Sequence, residues 1–294
     1  MLKIKHILVP VDFSEHSRPA ADHALNLANH FDARVTFLHA VEPVPYTFPP
    51  YEAGFTGAMA LPPVQEVVAS VSKALDSFVE RLSANGRTAK SVQQGDPSSV
   101  IEEQAKTQHA DLIVMPTHGY GPFRRLVLGS VTTKVLNDVA CPVFTGAHVE
   151  SIPHHAPSPY RRIGVAVDLE HDPTRLLRWA ADFAAAYHGK LLVIHGTPAA
   201  ELLTAGAQIP QEIRDQFIPR ARESIARILT GQGIEADIRV ASTSEPDRLL
   251  ADAVESENLD LLLIGRPHEE GILGRLSTHA YDIVRRSPCP VISV

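Results

Sequence analysis

The chain has 294 residues, of which 44% are hydrophobic and 21% charged, and its formal net charge is −7 at pH 7. Such values are typical of a soluble protein built from two domains of about 150 residues each. The acidic balance excludes nucleic acid as a bulk electrostatic partner, because no basic surplus exists to neutralise phosphates. The sequence contains no apolar run of about 18 residues that would span a membrane. Its two cysteines are typical of a reducing compartment, so a cytoplasmic protein is predicted.

The first elements alternate between strands and helices. Residues 7–12 form a short apolar strand that meets Asp12 without the cleavage site of a signal peptide. Ser14 or Ser17 can cap the helix that follows, and residues 35–39 are a second strand. Residues 42–65 are rich in proline and aromatics and lack a clear period. This composition fits either a lid over the mouth of the sheet or a surface excursion.

The next elements complete the expectation of an α/β fold. Apolar spacing predicts a helix over residues 64–83 and a strand over residues 88–93. Asp96 and Pro97 are typical of a helix start, with aspartate at the cap and proline in the first turn. Continuous apolar strands separated by helices predict a doubly wound parallel sheet that is covered on both faces.

The stretch from residue 111 to residue 147 is the candidate ligand site. An apolar strand leads through a glycine-containing loop to a helix that begins at Ser130 and ends near Val139. Unpaired N–H groups and the helix dipole favour an anion at such a start, and the hydroxyls of Ser130, Thr132 and Thr133 are available to cap it. An ordinary capped turn is the alternative. The loop contains neither G-x-G-x-x-G nor a P-loop.

The second half of the chain repeats the first. The strand that ends at Asp12 returns 156 residues later at Asp168, and Cys141 returns 148 residues later as Cys289. Duplicated cysteines are not placed as a disulfide or redox pair, so both are predicted to be small buried residues. We therefore expect a first copy over residues 1–147, a linker over residues 148–160 and a second copy over residues 161–294.

Two local features of this second half carry further expectations. A long helical run over residues 211–229 contains Pro219, which should kink or break it. The linker contains His154 and His155, but no carboxylate or cysteine lies at ligand spacing beside them, and no metal site is predicted.

The motifs of the first copy resemble those of the universal stress protein family. Nucleotide-binding members carry G-x2-G-x9-G-[ST]; here the pattern is Pro116, Gly119, nine residues and Gly129-Ser130, with proline replacing the first glycine. Residues 7–12, 95–98 and 141–143 extend the resemblance. It implies two tandem, Rossmann-like, five-stranded doubly wound domains with strand order 3-2-1-4-5, similar to the adenine nucleotide alpha-hydrolases.

The resemblance implies ATP, alone or with Mg²⁺, as the ligand. It lies in the crevice between strands one and four, where ligands of doubly wound sheets bind. From the residues alone, Asp12 is equally a nucleoside ligand or the cap of its own turn. Pro116 cannot donate an N–H to a phosphate. Carried over by position, the nucleotide-binding set is Pro10, Val11, Asp12, Val41, Met115, Pro116, His118, Gly119, Gly129, Ser130, Val131 and Thr132.

The second copy matches this pattern less well. Its loop is one residue shorter, and side chains occupy two positions of close backbone approach. We therefore predict that it does not bind nucleotide, although a different ligand held by Arg266 and His268 is an alternative. The counterparts of the site are Asp168, Gly265, His268, Ser277 and Thr278.

Three functions fit these observations. They are an ATP-binding regulatory protein of the stress response, a nucleotide-free module that binds an unidentified protein partner, and a slow ATPase or adenylating enzyme. No catalytic acid and base can be paired, so the regulatory function is preferred. The two copies should pack face to face as an internal pseudo-dimer through their last strands, because an exposed edge strand invites pairing. A homodimer is also compatible with the pattern.

Overall fold

The computed structural model describes residues 2–42, 63–82, 87–117, 128–146, 160–198, 211–266 and 278–294. Within these ranges strands and helices alternate through both copies. The elements of the first copy are β1 (His6–Pro10), α1 (Ser17–Phe31), β2 (Arg34–Val41), α2 (Val64–Glu80), β3 (Thr88–Gln94), α3 (Pro97–Thr107), β4 (Leu112–Met115), α4 (Ser130–Asp138) and β5 (Val143–Thr145). Those of the second copy are β6 (Arg162–Ala166), α5 (Thr174–Ala186), β7 (Lys190–Pro198), α6 (Gln211–Gln232), β8 (Asp237–Thr243), α7 (Pro246–Ser256), β9 (Leu261–Ile264), α8 (Thr278–Arg286) and β10 (Val291–Ser293).

The described strands form one sheet in the order β3-β2-β1-β4-β5-β10-β9-β6-β7-β8. Within each copy neighbouring strands are parallel, and β1 lies between β2 and β4, with Ile7 opposite both Val35 and Leu112. The predicted order 3-2-1-4-5 and the doubly wound fold are confirmed in both copies. The cause is visible in β4 and β9, which are apolar and buried at every position and therefore need helices on both faces of the sheet.

Helices cover both faces across the whole molecule. One apolar core lies between the sheet and α1, α2, α5 and α6, and it includes Leu27, Phe78, Phe183 and Ile225. The other lies under α3, α4, α7 and α8. Both cores contain residues of both copies, so each layer continues from one copy into the other.

The copies join edge to edge through β5 and β10. These strands are antiparallel, with Ile292 opposite Phe144. The shift of 148 residues that carries Cys141 onto Cys289 also carries Phe144 onto Ile292, so the pairing is centred on a pseudo-twofold axis. Pairing through the last strands is therefore present, whereas the expected face-to-face packing is wrong. Edge pairing satisfies the N–H and C=O groups that each last strand would otherwise expose.

An aromatic cluster reinforces this junction on the α1 and α5 side of the sheet. Its members from the two copies are His23, His30, Phe31, Phe144, Tyr160, Phe183 and Tyr187. The His23 ring and the Tyr160 hydroxyl are buried and share a hydrogen bond of 2.6 Å. His30 stacks on Tyr187 with 3.9 Å between ring centroids. Burial lowers the pKa of His23 to about 3, so its ring is neutral in the folded protein.

The helix starts follow the sequence in one case and depart from it in another. At α3 the prediction is confirmed, because Asp96 accepts a hydrogen bond of 3.1 Å from the Ser99 N–H and Pro97 begins the helix. At α1 neither predicted serine is the cap. The cap position is His16, and the hydroxyl of Ser17 bonds to Asp12. A serine hydroxyl can bond to other local groups instead of capping a helix, and here the Ser17 hydroxyl donates to the Asp12 carboxylate.

Two further expectations need correction, one about α6 and one about the cysteines. Pro219 does not end α6, which continues through it to Gln232, although proline forfeits one hydrogen bond of the helix. Cys289 is buried as predicted, but Cys141 is only half-buried. Burial raises the pKa of both thiols to about 11, so both are uncharged near neutral pH.

Some predicted features lie outside the described residues. They include residues 43–62 of the proline-rich segment and the linker histidines His154 and His155. Where the chain is described, no group of three metal-ligating side chains occurs. None of the described helices has the length and apolarity of a membrane span.

The junction predicts the behaviour of an isolated first copy. A chain that ends at Ala147 exposes the β5 edge and the aromatic side chains of α1, so it should self-associate, most simply by pairing β5 with β5 about a true twofold axis. Light scattering after size exclusion measures this, with the full chain as control. A folded first copy that remains monomeric at micromolar concentration would contradict the junction's importance.

The buried His23 predicts acid sensitivity. The unfolded chain binds a proton at this histidine below its ordinary pKa of 6.5, whereas the folded chain does not until about 3. The free energy of unfolding should therefore fall as pH decreases across this window, by about 1.4 kcal/mol per pH unit from His23. Denaturant unfolding between pH 6 and 5 measures the pH dependence of the free energy of unfolding. The pair His23→Leu with Tyr160→Phe should lower this slope by the contribution of His23. His109→Asn, at an exposed histidine, should keep the wild-type slope; equal slopes in all three chains would refute the assignment.

Candidate functional site

The candidate site lies at the carboxyl ends of β1 and β4. These adjacent strands are where the strand order reverses, and loops that leave them in opposite directions open a crevice between them. Pro10 ends β1, Val41 ends β2 and Met115 ends β4, while α4 begins at Ser130. The topology thus brings the described members of the predicted site to one edge of the sheet.

Asp12 organises the turn after β1. Its Oδ1 accepts hydrogen bonds from the Ser14 N–H at 3.0 Å and from the Ser17 hydroxyl at 2.5 Å. The Ser17 hydroxyl in turn accepts a bond of 3.1 Å from the Asp12 N–H. The capping role left open by the sequence is therefore present at Oδ1. This carboxylate is held in a fixed position at the mouth of the crevice, and it is half-buried.

Val11 lines the site, but its backbone N–H and carbonyl are engaged within the protein and do not point to a ligand partner. Its N–H donates to the Leu38 carbonyl at 2.8 Å, and its carbonyl accepts a bond of 2.7 Å from the Nδ1–H of His39. Phe13 stacks on the His39 ring with 4.7 Å between centroids. Both backbone polar groups of Val11 are thus satisfied inside the protein, and a flat aromatic surface lies beside Asp12.

The junction of β4 with α4 is closed by short-range hydrogen bonds. The Gly129 N–H donates to the Thr117 carbonyl at 3.0 Å, and the Thr132 hydroxyl donates to the Pro116 carbonyl at 3.2 Å. The Thr133 hydroxyl donates to the Gly129 carbonyl at 3.0 Å. The sequence suggested that these two threonine hydroxyls cap N–H groups of the helix, and this prediction is wrong. They donate to carbonyls and hold the two ends of the loop together.

The anion-binding capacity of α4 follows from this arrangement. Gly129 is the cap residue at φ −57°, a conformation open to any residue, so the turn itself does not require glycine here. Its own N–H is already used. Helix geometry leaves the N–H groups of Ser130, Val131 and Thr132 without intrahelical acceptors. Three donors at the positive end of the helix dipole are therefore available to a phosphate.

A cation stands one turn further along α4. Lys134 lies four residues after Ser130 on the same helix face and forms an ion pair of 3.6 Å with Asp96 of the α3 cap. Hydrogen bonds from Ser98 and Ser99 lower the pKa of Asp96 to about 2. The neighbouring Gly95 N–H donates to the Val41 carbonyl at 3.1 Å, which joins the end of β2 to this corner. The carbonyl of Val41 is thus already engaged.

Comparison with known proteins identifies the family. The model of the universal stress protein family matches residues 3–145 and again residues 159–294. The chain belongs to the universal stress protein family. A universal stress protein of Methanocaldococcus jannaschii is 33% identical over 141 residues, which are 47% of this chain and 79% of that protein. One from Thermus aquaticus is 34% identical over 142 residues, or 47% of this chain and 96% of that protein.

A solved structure matches the complete tandem fold. The crystal structure of a universal stress protein from Archaeoglobus fulgidus covers 99% of this chain and 98% of its own, with a TM-score of 0.71 at 18% identity. At this identity the likeness concerns the fold alone. It shows that two universal stress domains in one chain adopt this arrangement elsewhere.

The second copy of this universal stress protein differs at the positions that correspond to the candidate site. Asp168 uses both carboxylate oxygens within its own turn, because Oδ1 accepts the Glu170 N–H at 2.9 Å and Oδ2 pairs with His171 at 2.8 Å. A β carbon on Gly265 would only touch Leu176, at 3.4 Å, so this glycine is not required by space. Thr278 is the first residue of α8.

Four predicted residues cannot be placed, and Arg266 is engaged by the other copy. His118 and Gly119 of the first copy, with His268 and Ser277 of the second, lie outside the described residues. Arg266 does not face a ligand site of its own copy. Its guanidinium donates to the carbonyls of Leu136, Val139 and Cys141 in the first copy, at 2.6–3.1 Å.

Sequence reasoning passed over two groups of this site. His39 has a duplicate, His195, which bonds to the Val167 carbonyl at 2.9 Å as His39 does to Val11. A histidine at the end of the second strand in both copies was a usable signal for this shared contact. Tyr281 of the second copy also touches the first copy's loop, through a bond of 3.0 Å from the Leu128 N–H, and it gave no local signal at all.

Proposed function

We propose that this universal stress protein binds one adenine nucleotide in its first copy, ATP alone or with Mg²⁺, and acts as a cytoplasmic regulatory module. Its conformation, or its choice of protein partner, follows occupancy of the site. The observation that carries the proposal is the start of α4. Helix geometry leaves three N–H groups there without intrahelical acceptors, those of Ser130, Val131 and Thr132, at the crevice of a doubly wound sheet.

The nucleoside and the phosphates are assigned to different sides of the crevice. Asp12 is held by Ser14 and Ser17 through Oδ1, which leaves the carboxylate oriented to accept from ribose or adenine. The stacked pair of Phe13 and His39 offers a flat surface beside it. On the other side, Lys134 supplies positive charge one turn from the helix start.

Pro116 weakens this site without closing it. Proline at the first glycine position removes one N–H that related proteins with glycine retain. Its carbonyl is still used, because it accepts the Thr132 hydroxyl and so fixes the first turn of α4. Loss of a single phosphate donor lowers affinity by about 1–3 kcal/mol. For a micromolar site, this loss would bring the dissociation constant towards the millimolar range.

A nucleotide-free interaction module is the second candidate, and one observation favours it. The polar groups of the site are largely satisfied without a ligand, since Asp12 caps its own turn and Gly129 and Thr132 bond to the end of β4. A site whose polar groups bond to one another in this way does not need a nucleotide to be stable. Denaturing natively purified protein and identifying any released nucleotide separates the two candidates, because intact ATP supports the first and no nucleotide favours the second.

We predict one nucleotide per chain, bound by the first copy. Gly129→Glu places a carboxylate at the helix start and should weaken ATP binding at least about tenfold by repulsion of the phosphates. The backbone at this position accepts any residue, so the variant should fold. Ser277→Glu, the matched change in the second copy, should leave binding unchanged. Titration calorimetry with ATP and Mg²⁺ measures both.

Two results of this titration would reverse the assignment. Two equal sites per chain would mean that the second copy binds as well. Loss of binding only in Ser277→Glu would mean that the second copy is the working one. In either case the engagement of both oxygens of Asp168 by Glu170 and His171 would not prevent nucleotide binding.

We also predict negligible turnover of bound ATP. The described part of the site offers backbone donors, hydroxyls, one lysine and the carboxylate of Asp12, which we assign to the nucleoside and not to the phosphates, so we expect none of them to orient an attacking water as phosphoryl-transfer sites require. Phosphate release should stay near the rate without protein over hours at saturating ATP. Release many-fold faster, and abolished by Asp12→Ala, would assign the protein to the enzymes instead.

A further inference from the structure

The helix that begins the phosphate site is held by the second copy at both ends. At its start, the Leu128 N–H donates to the Tyr281 hydroxyl of α8 at 3.0 Å. Leu128 is buried and directly precedes Gly129, the cap of α4. The contact therefore fixes the chain at the point where it turns into the helix.

At the other end of α4, Arg266 binds the helix exit. Its Nη1 donates to the carbonyls of Leu136 at 3.1 Å and Val139 at 2.8 Å, and its Nη2 donates to the Cys141 carbonyl at 2.6 Å. These carbonyls belong to the last turn and the exit of the helix, where a cation is favoured by the dipole. Burial lowers the pKa of Arg266 to about 10, so the guanidinium keeps its charge at neutral pH.

The first copy carries different residues at the positions that match Tyr281 and Arg266. The shift of 148 residues that relates α8 to α4 places Thr133 at the position of Tyr281. Thr133 uses its hydroxyl on Gly129 of its own copy. At the position of Arg266, 149 residues earlier as for Asp260 and Asp111, the first copy has Thr117. Threonine carries neither an aromatic hydroxyl of that reach nor a guanidinium.

We propose that the second copy is the positioning half of the nucleotide site, with Tyr281 and Arg266 as positioning residues for α4. This inference rests on the proposed function in the first copy. Tyr281 fixes the entry of α4 and Arg266 its exit, so the N–H groups of Ser130, Val131 and Thr132 keep one orientation towards the phosphates. The second copy, whose own ligand motif is incomplete, thus helps to set the affinity of the first copy for ATP.

Tyr281→Phe tests the inference, because it removes one hydroxyl and keeps the ring. ATP affinity measured by titration calorimetry should fall about five- to tenfold, the effect of one hydrogen bond. Adenosine has no phosphates to contact α4, so its affinity should stay within about twofold. Tyr160→Phe is the matched control, since it removes a buried hydroxyl from the same junction on the opposite face of the sheet. It should leave ATP affinity as in wild type.

Hydrogen exchange of the unliganded chain gives a second readout that needs no nucleotide. Amides 128–132 should exchange faster in Tyr281→Phe than in wild type or Tyr160→Phe, because the entry of α4 loses its anchor. Unchanged exchange there, unchanged ATP affinity, or equal losses for ATP and adenosine would each overturn the inference. If wild type binds no ATP, the proposed function fails, and the exchange rates alone decide whether Tyr281 positions α4.

Discussion

The antiparallel pairing of β5 with β10 is the interaction on which the rest of the molecule depends. Each copy is a five-stranded sheet whose last strand would otherwise present unpaired backbone groups to solvent. Pairing them satisfies those groups and continues the two apolar cores from one copy into the other. It also brings α4 beside α8 and α1 beside α5. The two copies are therefore one structural unit.

Within this pseudo-symmetric frame the side chains have diverged. Asp12 uses one oxygen in its own turn, whereas Asp168 uses both. Tyr281 and Arg266 reach across the junction from the second copy, and threonines occupy the matching positions in the first. The sheet needs the strands of both copies, but it does not need the same loops in both. Duplication therefore leaves one copy free to change its loop while it keeps its strands.

Several polar groups of the candidate site are engaged within the protein itself. The N–H groups of Val11 and Gly129 and the hydroxyl of Thr132 are engaged by neighbouring carbonyls around the crevice. The groups left over are the first N–H groups of a helix and a nearby lysine, all of which recognise charge. Such groups hold a phosphate in place but do not move a proton.

The sequence by itself determined the local features: the tandem repeat, the alternation of apolar strands with helices, the helix start at Asp96 and the position of the loop after β4. Each of these depends on residues close together in the chain, or on a pattern that recurs. The tertiary structure decided which donors meet which acceptors. Thr132 turned to a carbonyl, Ser17 to Asp12, and Arg266 to the first copy, 130 residues away at its Leu136 contact. The Arg266 contact follows from packing across the β5–β10 junction, which brings distant residues together without any local pattern. The Ser17 and Thr132 contacts lie within the first copy, where a carboxylate or a carbonyl binds a hydroxyl that could have capped the helix instead.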